Sequence, residues 1–266
     1  MPGKIDAQKE VGIEEVAAAA TCDRFSETGW TKADVYVPRE MELTVFVNEQ
    51  ALVTILCTAA KLDYLVIGYL YAEGIITSLE DIDSMQLKLA DSQALVRLSD
   101  PGFELPTLRK LGCSGSSVYK TQGEKLSSDL RTTPEKVLAL MEKLQAQMEL
   151  YPLSGGVHTS ALADTENLLV IAEDIGRHNT LNKIQGECIM KNIQTQDKLM
   201  LITGRISSEM LLKAAKMKAP IVVSRHAPTK TAILLANDMN IALVGQARGS
   251  RLAVFTHPER LGLPAN

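Results

Sequence analysis

Apolar residues settle into a regular spacing near Val35. "MELTVFV" alternates Leu43, Val45 and Val47 with other side chains, the period-two pattern of a half-buried strand. "NEQ" at 48–50 reads as a short turn, and "ALVTILC" as its hairpin partner. In "KLDYLVIGYLYAEG" the spacing becomes helical: Leu62, Leu65, Val66, Tyr69 and Leu70 share one stripe, and Gly74 supplies a stop. "SMQLKLA" and "ALVRL" predict two further strands. The order β-β-α-β-β implies a small α+β roll of the ubiquitin-like kind, ending near Pro101–Pro106. The residues before it, 1 to about 30, mix Gly, Ala, Glu and Lys without sustained periodicity. They read as a tail with a short helix near "IEEVAAAA".

A second pattern follows. Thr132 and Glu135 have capping-box spacing and Pro134 suits a first turn, so a helix is predicted with Val137, Leu138, Met141, Leu144 and Met148 as its buried stripe. From Leu168 onward, short apolar runs alternate with amphipathic stretches: "LLVIA", "LMLIT", "IVVS" and "IALVG" are each followed by a polar junction, the first three leading into a helical segment. Strand–helix alternation predicts a sheet with parallel strands under covering helices. The expected organisation is a tail (1–30), a small roll (31–105) and an α/β domain (106–266), with no internal repeat.

Composition narrows the class. The chain has 266 residues, 23% charged and 4% aromatic, with a formal net charge of −4. Its core must therefore rest on aliphatic residues, and the net charge argues against a broadly basic nucleic-acid binder. No apolar run approaches the roughly 20 residues of a membrane-spanning helix, and the N-terminus lacks a signal-peptide core. A soluble cytoplasmic protein is expected. Its four cysteines, Cys22, Cys57, Cys113 and Cys188, are scattered and expected to be thiols.

Candidate chemistry gathers at the strand exits. In α/β sheets, ligands bind beyond the C-terminal strand ends, where helix N-termini also point. The four exits read "EDIGRHN" (Arg177, His178), "GRIS" (Arg205), "RHAPTK" (Arg225, His226, Lys230) and "QARGSR" (Arg248, Arg251). Isolated arginines would be ordinary surface charge. One or more at each of four successive exits predicts a local basic pocket, and arginine is the side chain suited to bidentate phosphate recognition. Gly176, Gly204, Gly245 and Gly249 would let a ligand approach the backbone. No GxxxxGK[ST] and no GxGxxG is present, which argues against a P-loop or the usual dinucleotide site.

Other constellations are weaker. The four histidines are widely spaced, with no HxxxH pair and no HxE…PCxxC signature, so no metal site is expected. His158, after Gly155–Gly156, fits either a pocket residue or a hydrogen-bonded structural one. "GCSGSS" does not match GxSxG, although a Cys113–His158 hydrolase pair stays open. Cys57 and Cys188 fall on apolar faces and read as packing residues. Cys113 lies among Gly and Ser near Arg109, Lys110 and Lys120, the positive surroundings that favour a reactive thiolate.

"LSGGVHTSALAD" (153–164), "EDIGRHNTLNK" (173–183), "LITGRISSEMLLKAA" (201–215) and "LVGQARGSRLAVFTHPERL" (243–261) resemble the FdhD-type formate dehydrogenase accessory sulfurtransferases. "LTVFVN", "KLDYLVIGYLYAEGII" and the Cys113 segment fall in the order that resemblance requires, over about residues 35 to 262. The resemblance implies a cytidine-deaminase-like three-layer domain without its zinc, and a homodimer. It implies sulfur transfer from a cysteine desulfurase, as a persulfide on Cys113, to the molybdenum cofactor of formate dehydrogenase. It implies that the guanine-dinucleotide form of that cofactor is bound by Gln246, Ala247, Arg248, Gly249, Ser250 and Arg251. The chain departs from a CxxC pattern in having Cys113-Ser114-Gly115-Ser116. That removes a dithiol cycle within the segment and leaves a single-thiol relay. A non-catalytic chaperone for the molybdenum cofactor is the alternative function. Neither reading involves nucleic acid or membrane.

Overall fold

A computed structural model describes residues 4–104 and 124–264 of the chain. The Cys113 segment lies outside the described residues. In chain order the first elements are β1 (Lys4–Ile5), α1 (Ile13–Val16), β2 (Ala17–Ser26), β3 (Gly29–Pro38), β4 (Met41–Val47), β5 (Gln50–Cys57), α2 (Leu62–Ala72), β6 (Ile82–Lys88) and β7 (Gln93–Leu98). They form a five-stranded sheet of order β1-β6-β7-β4-β5 and a separate hairpin, β2-β3. The predicted β-β-α-β-β roll is β4, β5, α2, β6 and β7. Its first and last strands, β4 and β7, are parallel neighbours at the centre, with β5 and β6 antiparallel outside them. The β4–β5 turn is made by Asn48 and Glu49, both left-handed (φ 46° and 68°), the geometry that matches strand twist in a two-residue hairpin.

The expected tail is structured. β1 adds to the edge of the roll beside β6, and residues 17–26 pair along their whole length with 29–38. Pairing escaped the periodicity because both strands are largely solvated on both faces beyond their base. At that base Val16 and Ala17 pack with Leu150 and Val157 of the second half.

That half contains α3 (Pro134–Ala146), α4 (Leu150–Ser154), β8 (His158–Ala163), β9 (Leu168–Asp174), α5 (Arg177–Met190), β10 (Leu199–Ile202), α6 (Ser208–Lys216), β11 (Ile221–Ser224), α7 (Lys230–Asp238), β12 (Ala242–Arg248) and β13 (Arg251–Val254). The six strands run β13-β12-β11-β10-β8-β9. Only β10, β11 and β12 are adjacent parallel strands, and antiparallel β8 separates β9 from them, so the sheet is mixed. Met200, Ile202, Val222 and Leu243 pack under Met210, Leu211, Ala232 and Ala236 of α6 and α7. Leu199, Leu201, Val223 and Val244 meet Val137, Leu140, Met141 and Leu144 of α3 on the other face. Burial on both faces explains why these strands are continuous apolar runs. The result is a three-layer α/β domain joined to the ubiquitin-like roll. The α3 cap is Thr133, whose hydroxyl accepts from Lys136 N–H, and not Thr132, whose own N–H is tied to Arg260 O at 2.8 Å.

Helix α2 is buried around most of its circumference because α5 covers the side facing away from its sheet. The two helices meet at backbone contact. A Cβ on Gly68 would lie 1.8 Å from Asn182 O, and one on Gly186 would lie 1.9 Å from Tyr64 O. Both obstacles are backbone, so no side chain can swing away. Gly68→Ala is expected to cost about 3 kcal/mol or more, the upper end of overpacking penalties, in urea unfolding followed by far-ultraviolet circular dichroism. A cost under about 0.5 kcal/mol would show that the helices separate freely.

Candidate functional site

Strand directions bring the candidate residues to one edge. β10, β11 and β12 run together, and β9 runs with them after two antiparallel steps through β8. The exits at Asp174, Ile202, Ser224 and Arg248 therefore share an edge. His158, which opens β8 in register with Asp174, joins them. Helices α5, α6 and α7 begin at the same edge, the last two capped by the hydroxyls of Ser207 and Thr229.

Asp174 anchors the α5 end. Its Oδ1 accepts from Gly176 N–H and from Asn179 Nδ2, each at 2.8 Å. Its Oδ2 accepts from Thr58 N–H and Oγ1, each at 3.1 Å, and pairs with Lys183 Nζ at 2.5 Å. Both charged side chains have zero exposure. Lys183 also donates to Thr58 Oγ1 at 2.8 Å and Glu173 O at 3.2 Å. This knot fixes the turn that presents Arg177 and ties it to the end of β5 in the roll. The strand-exit reading missed Asp174, Lys183 and Thr58. The available signal was an aspartate two residues before a glycine that opens a helix.

The remaining edge is cationic. His226 faces Arg248, Arg225 and Arg205, and burial together with these three guanidinium groups pushes its pKa down. Burial, Arg177 and His226 likewise push His158 down, against an opposing pull from Asp174. Both imidazoles are held toward the neutral form by a field that favours anions. Arg248 donates from Nε to Arg225 O at 2.8 Å and from a terminal nitrogen to His226 Nδ1 at 3.1 Å. Ser224 Oγ bridges Gly204 O and His226 N–H, at 2.7 and 2.9 Å. Nε of Arg177 and Nε of Arg225 are buried with no acceptor among the described residues. Gly204 lies against His158 and Arg177, where a side chain would crowd the imidazole at 3.2 Å.

The structure thus gathers Arg177, Arg205, Arg225, His226, Arg248 and His158. Gln246, Ala247, Arg248, Gly249, Ser250 and Arg251 form the end of β12, the turn and the start of β13. All but Ala247 are exposed, and Gln246 and Gly249 are left-handed (φ 56° and 55°) around an irregular pairing. His178 does not belong with them. It is buried between α5 and α6, and burial with Lys213 and Arg177 brings its pKa to about 3. Its Nε2 is 3.1 Å from Glu209 Oε2 but out of line for a hydrogen bond, so a neutral ring beside a carboxylate describes the contact better than an ion pair. Cys57 and Cys188 are buried and their thiols are pushed up to about 12, whereas Cys22 is exposed on β2. Among the described residues no cluster of His, Cys, Asp or Glu could hold a metal ion, and no helix is long and apolar enough to cross a membrane.

Fold and edge together define a three-layer α/β protein with an arginine- and histidine-lined sheet edge, carrying a ubiquitin-like roll. The chain belongs to the FdhD/NarQ family, whose sequence model matches residues 38–262. It is 37% identical over 258 residues to the sulfur carrier protein FdhD of Bacillus subtilis, covering 93% of this chain and 98% of that one. It is 39% identical over 246 residues to the sulfur carrier protein FdhD of Halalkalibacterium halodurans, covering 86% and 89%. A crystal structure of a candidate formate dehydrogenase accessory protein from Desulfotalea psychrophila superposes with a TM-score of 0.77. It shares 22% identity and is covered over 99% of its length by 92% of this chain, a likeness of fold.

Two outcomes follow from the buried groups. Lys183→Met leaves the Asp174 carboxylate without its cation and is expected to cost about 3–5 kcal/mol in urea unfolding. His178 takes up a proton near its ordinary 6.5 in the unfolded chain but only near 3 in the folded one. The unfolded state then binds the extra proton, so stability falls as pH drops through that window, by up to about 1.4 kcal/mol per pH unit from this residue. Urea melts of His178→Gln across the same window are expected to show a shallower acid slope than the parent.

Proposed function

We propose that this chain is a sulfur carrier in the maturation of a formate dehydrogenase. The observation that carries this reading is its near full-length similarity to proteins named as sulfur carrier protein FdhD. Cys113 is the proposed carrier. Its thiolate attacks the terminal sulfur of a persulfide on a cysteine desulfurase, the desulfurase cysteine leaves as thiolate, and Cys113 holds the sulfur as its own persulfide. Buried Cys57 and Cys188, with thiols pushed to about 12, are poor candidates for that step.

The acceptor is the molybdenum cofactor in its guanine-dinucleotide form, held by its phosphates at the cationic edge and by Gln246, Ala247, Arg248, Gly249, Ser250 and Arg251. The terminal sulfur of a persulfide is formally zero-valent. Delivery as a sulfido ligand therefore needs two electrons, which a reduced molybdenum centre supplies as Cys113 leaves as thiolate. Chain length permits the encounter. Leu126 is tied to Met239 and Asn240 at the far edge of the sheet. The chain from there to Cys113 reaches about 45 Å at most, against about 23 Å for the length of β12. The proposed partners are a cysteine desulfurase, a formate dehydrogenase and a second copy of this chain.

Incubation with a cysteine desulfurase and cysteine is expected to add the mass of one sulfur atom, lost in Cys113→Ala. Persistence in that variant, or mapping to another cysteine, would reject Cys113. Absence of any persulfide, with nucleotide binding intact, would favour a cofactor chaperone. Arg248→Ala and Arg251→Ala are each expected to weaken GDP binding about tenfold, the scale of one charged phosphate contact. Unchanged affinity in both would reject the edge as the nucleotide site.

A further inference from the structure

Phe255 is a partly exposed aromatic residue whose ring lies next to Pro228 and the His226 backbone. It follows β13 directly, its N–H bonded to Leu243 O at 2.8 Å, and its side chain is 37% exposed. Phe25, Trp30, Tyr36 and Tyr151 are more exposed, so what distinguishes Phe255 is its place beside His226 of the cationic edge. The ring rests on Gly245. A Cβ there would lie 2.8 Å from Phe255 Cε2, 2.9 Å from Pro228 Cδ and 3.0 Å from His226 O. Phe255, Pro228 and His226 therefore converge within the space of one missing side chain. His226 in turn accepts from Arg248. Among the described residues no second aromatic ring and no cation stacks on Phe255.

A cationic edge by itself selects phosphate and no more. An adjacent unstacked ring adds a flat apolar face, which a planar heterocycle covers well and a bare phosphate does not. We propose that Phe255, bedded on Gly245 and Pro228, is the stacking platform for the base of a nucleoside diphosphate whose phosphates sit on Arg248, Arg225 and Arg205. This rests on the reading of the edge as a phosphate site and assigns a residue that recognises the rest of the ligand. Gly245 has a defined part in it: any side chain there would lift the ring off the strand.

The test compares two probes, GDP and inorganic pyrophosphate, by calorimetry on the full-length chain. Phe255→Ala is expected to weaken GDP about five- to tenfold, the scale of one base–aromatic stack, while leaving pyrophosphate unchanged. Phe255→Leu keeps apolar packing on Gly245 without a π-face and is expected to lose GDP affinity as well. Phe255→Tyr is expected to retain it. The platform is overturned if GDP binding survives in both Ala and Leu variants, or if GDP and pyrophosphate weaken equally. Arg248→Ala run alongside separates the two ideas. Loss of both probes there with GDP intact in Phe255→Ala rejects the platform and keeps the phosphate edge. A parent chain that binds neither probe rejects both.

Discussion

Asp174 and Lys183 form an ion pair with no access to water, and the arrangement of the two halves depends on it. Burying two charges costs several kcal/mol each, and their attraction offsets that only when the remaining lone pairs and protons are satisfied. Here five donors reach the carboxylate, two of them from Thr58 at the end of β5. The roll is therefore not merely adjacent to the larger domain. One of its strand ends completes the solvation of a charge inside that domain, and a slip of that strand would strand the charge. The same carboxylate holds Gly176 and Asn179, so the turn before Arg177 takes its position from a contact spanning more than a hundred residues of sequence.

Steric fit reinforces this electrostatic constraint. Gly68 and Gly186 let α2 and α5 touch through their backbones, and Lys61 crosses the same seam to Glu187 Oε2 at 2.6 Å and Ile171 O at 2.8 Å. Close-packed interiors transmit displacement and do not absorb it. The roll and the cationic edge are thus joined through α5: its outer side carries α2, and its first residue is Arg177.

What could be read from the sequence follows from which interactions are local. β4, β5, α2, β6 and β7 announced themselves because each carries a periodic apolar stripe. The arginines at the strand exits were visible because exits follow apolar runs directly in the chain. β2 was invisible: "AAAATCDRFS" has no alternation because most of it buries neither face. The near-complete burial of α2 was hidden because α5, more than a hundred residues later, covers its second side. Thr132 was mistaken for a cap because its alternative partner, Arg260 O, is equally remote. Asp174 and Thr58 could not be paired by any spacing rule. The fold class was therefore legible, as was the charge of the candidate site, while the contacts that hold that site in place were not.

The β2–β3 hairpin has a consequence for how this protein can be observed. Its tip carries Trp30, the chain's single tryptophan, 72% exposed and with its ring centroid 5.1 Å from that of Phe25. The indole is already solvated in the native state, remote from the aliphatic clusters of both domains. An indole so exposed is expected to emit as a solvated one and to report the hairpin more than either core. The same isolation makes it a clean optical label for whatever comes to cover that hairpin.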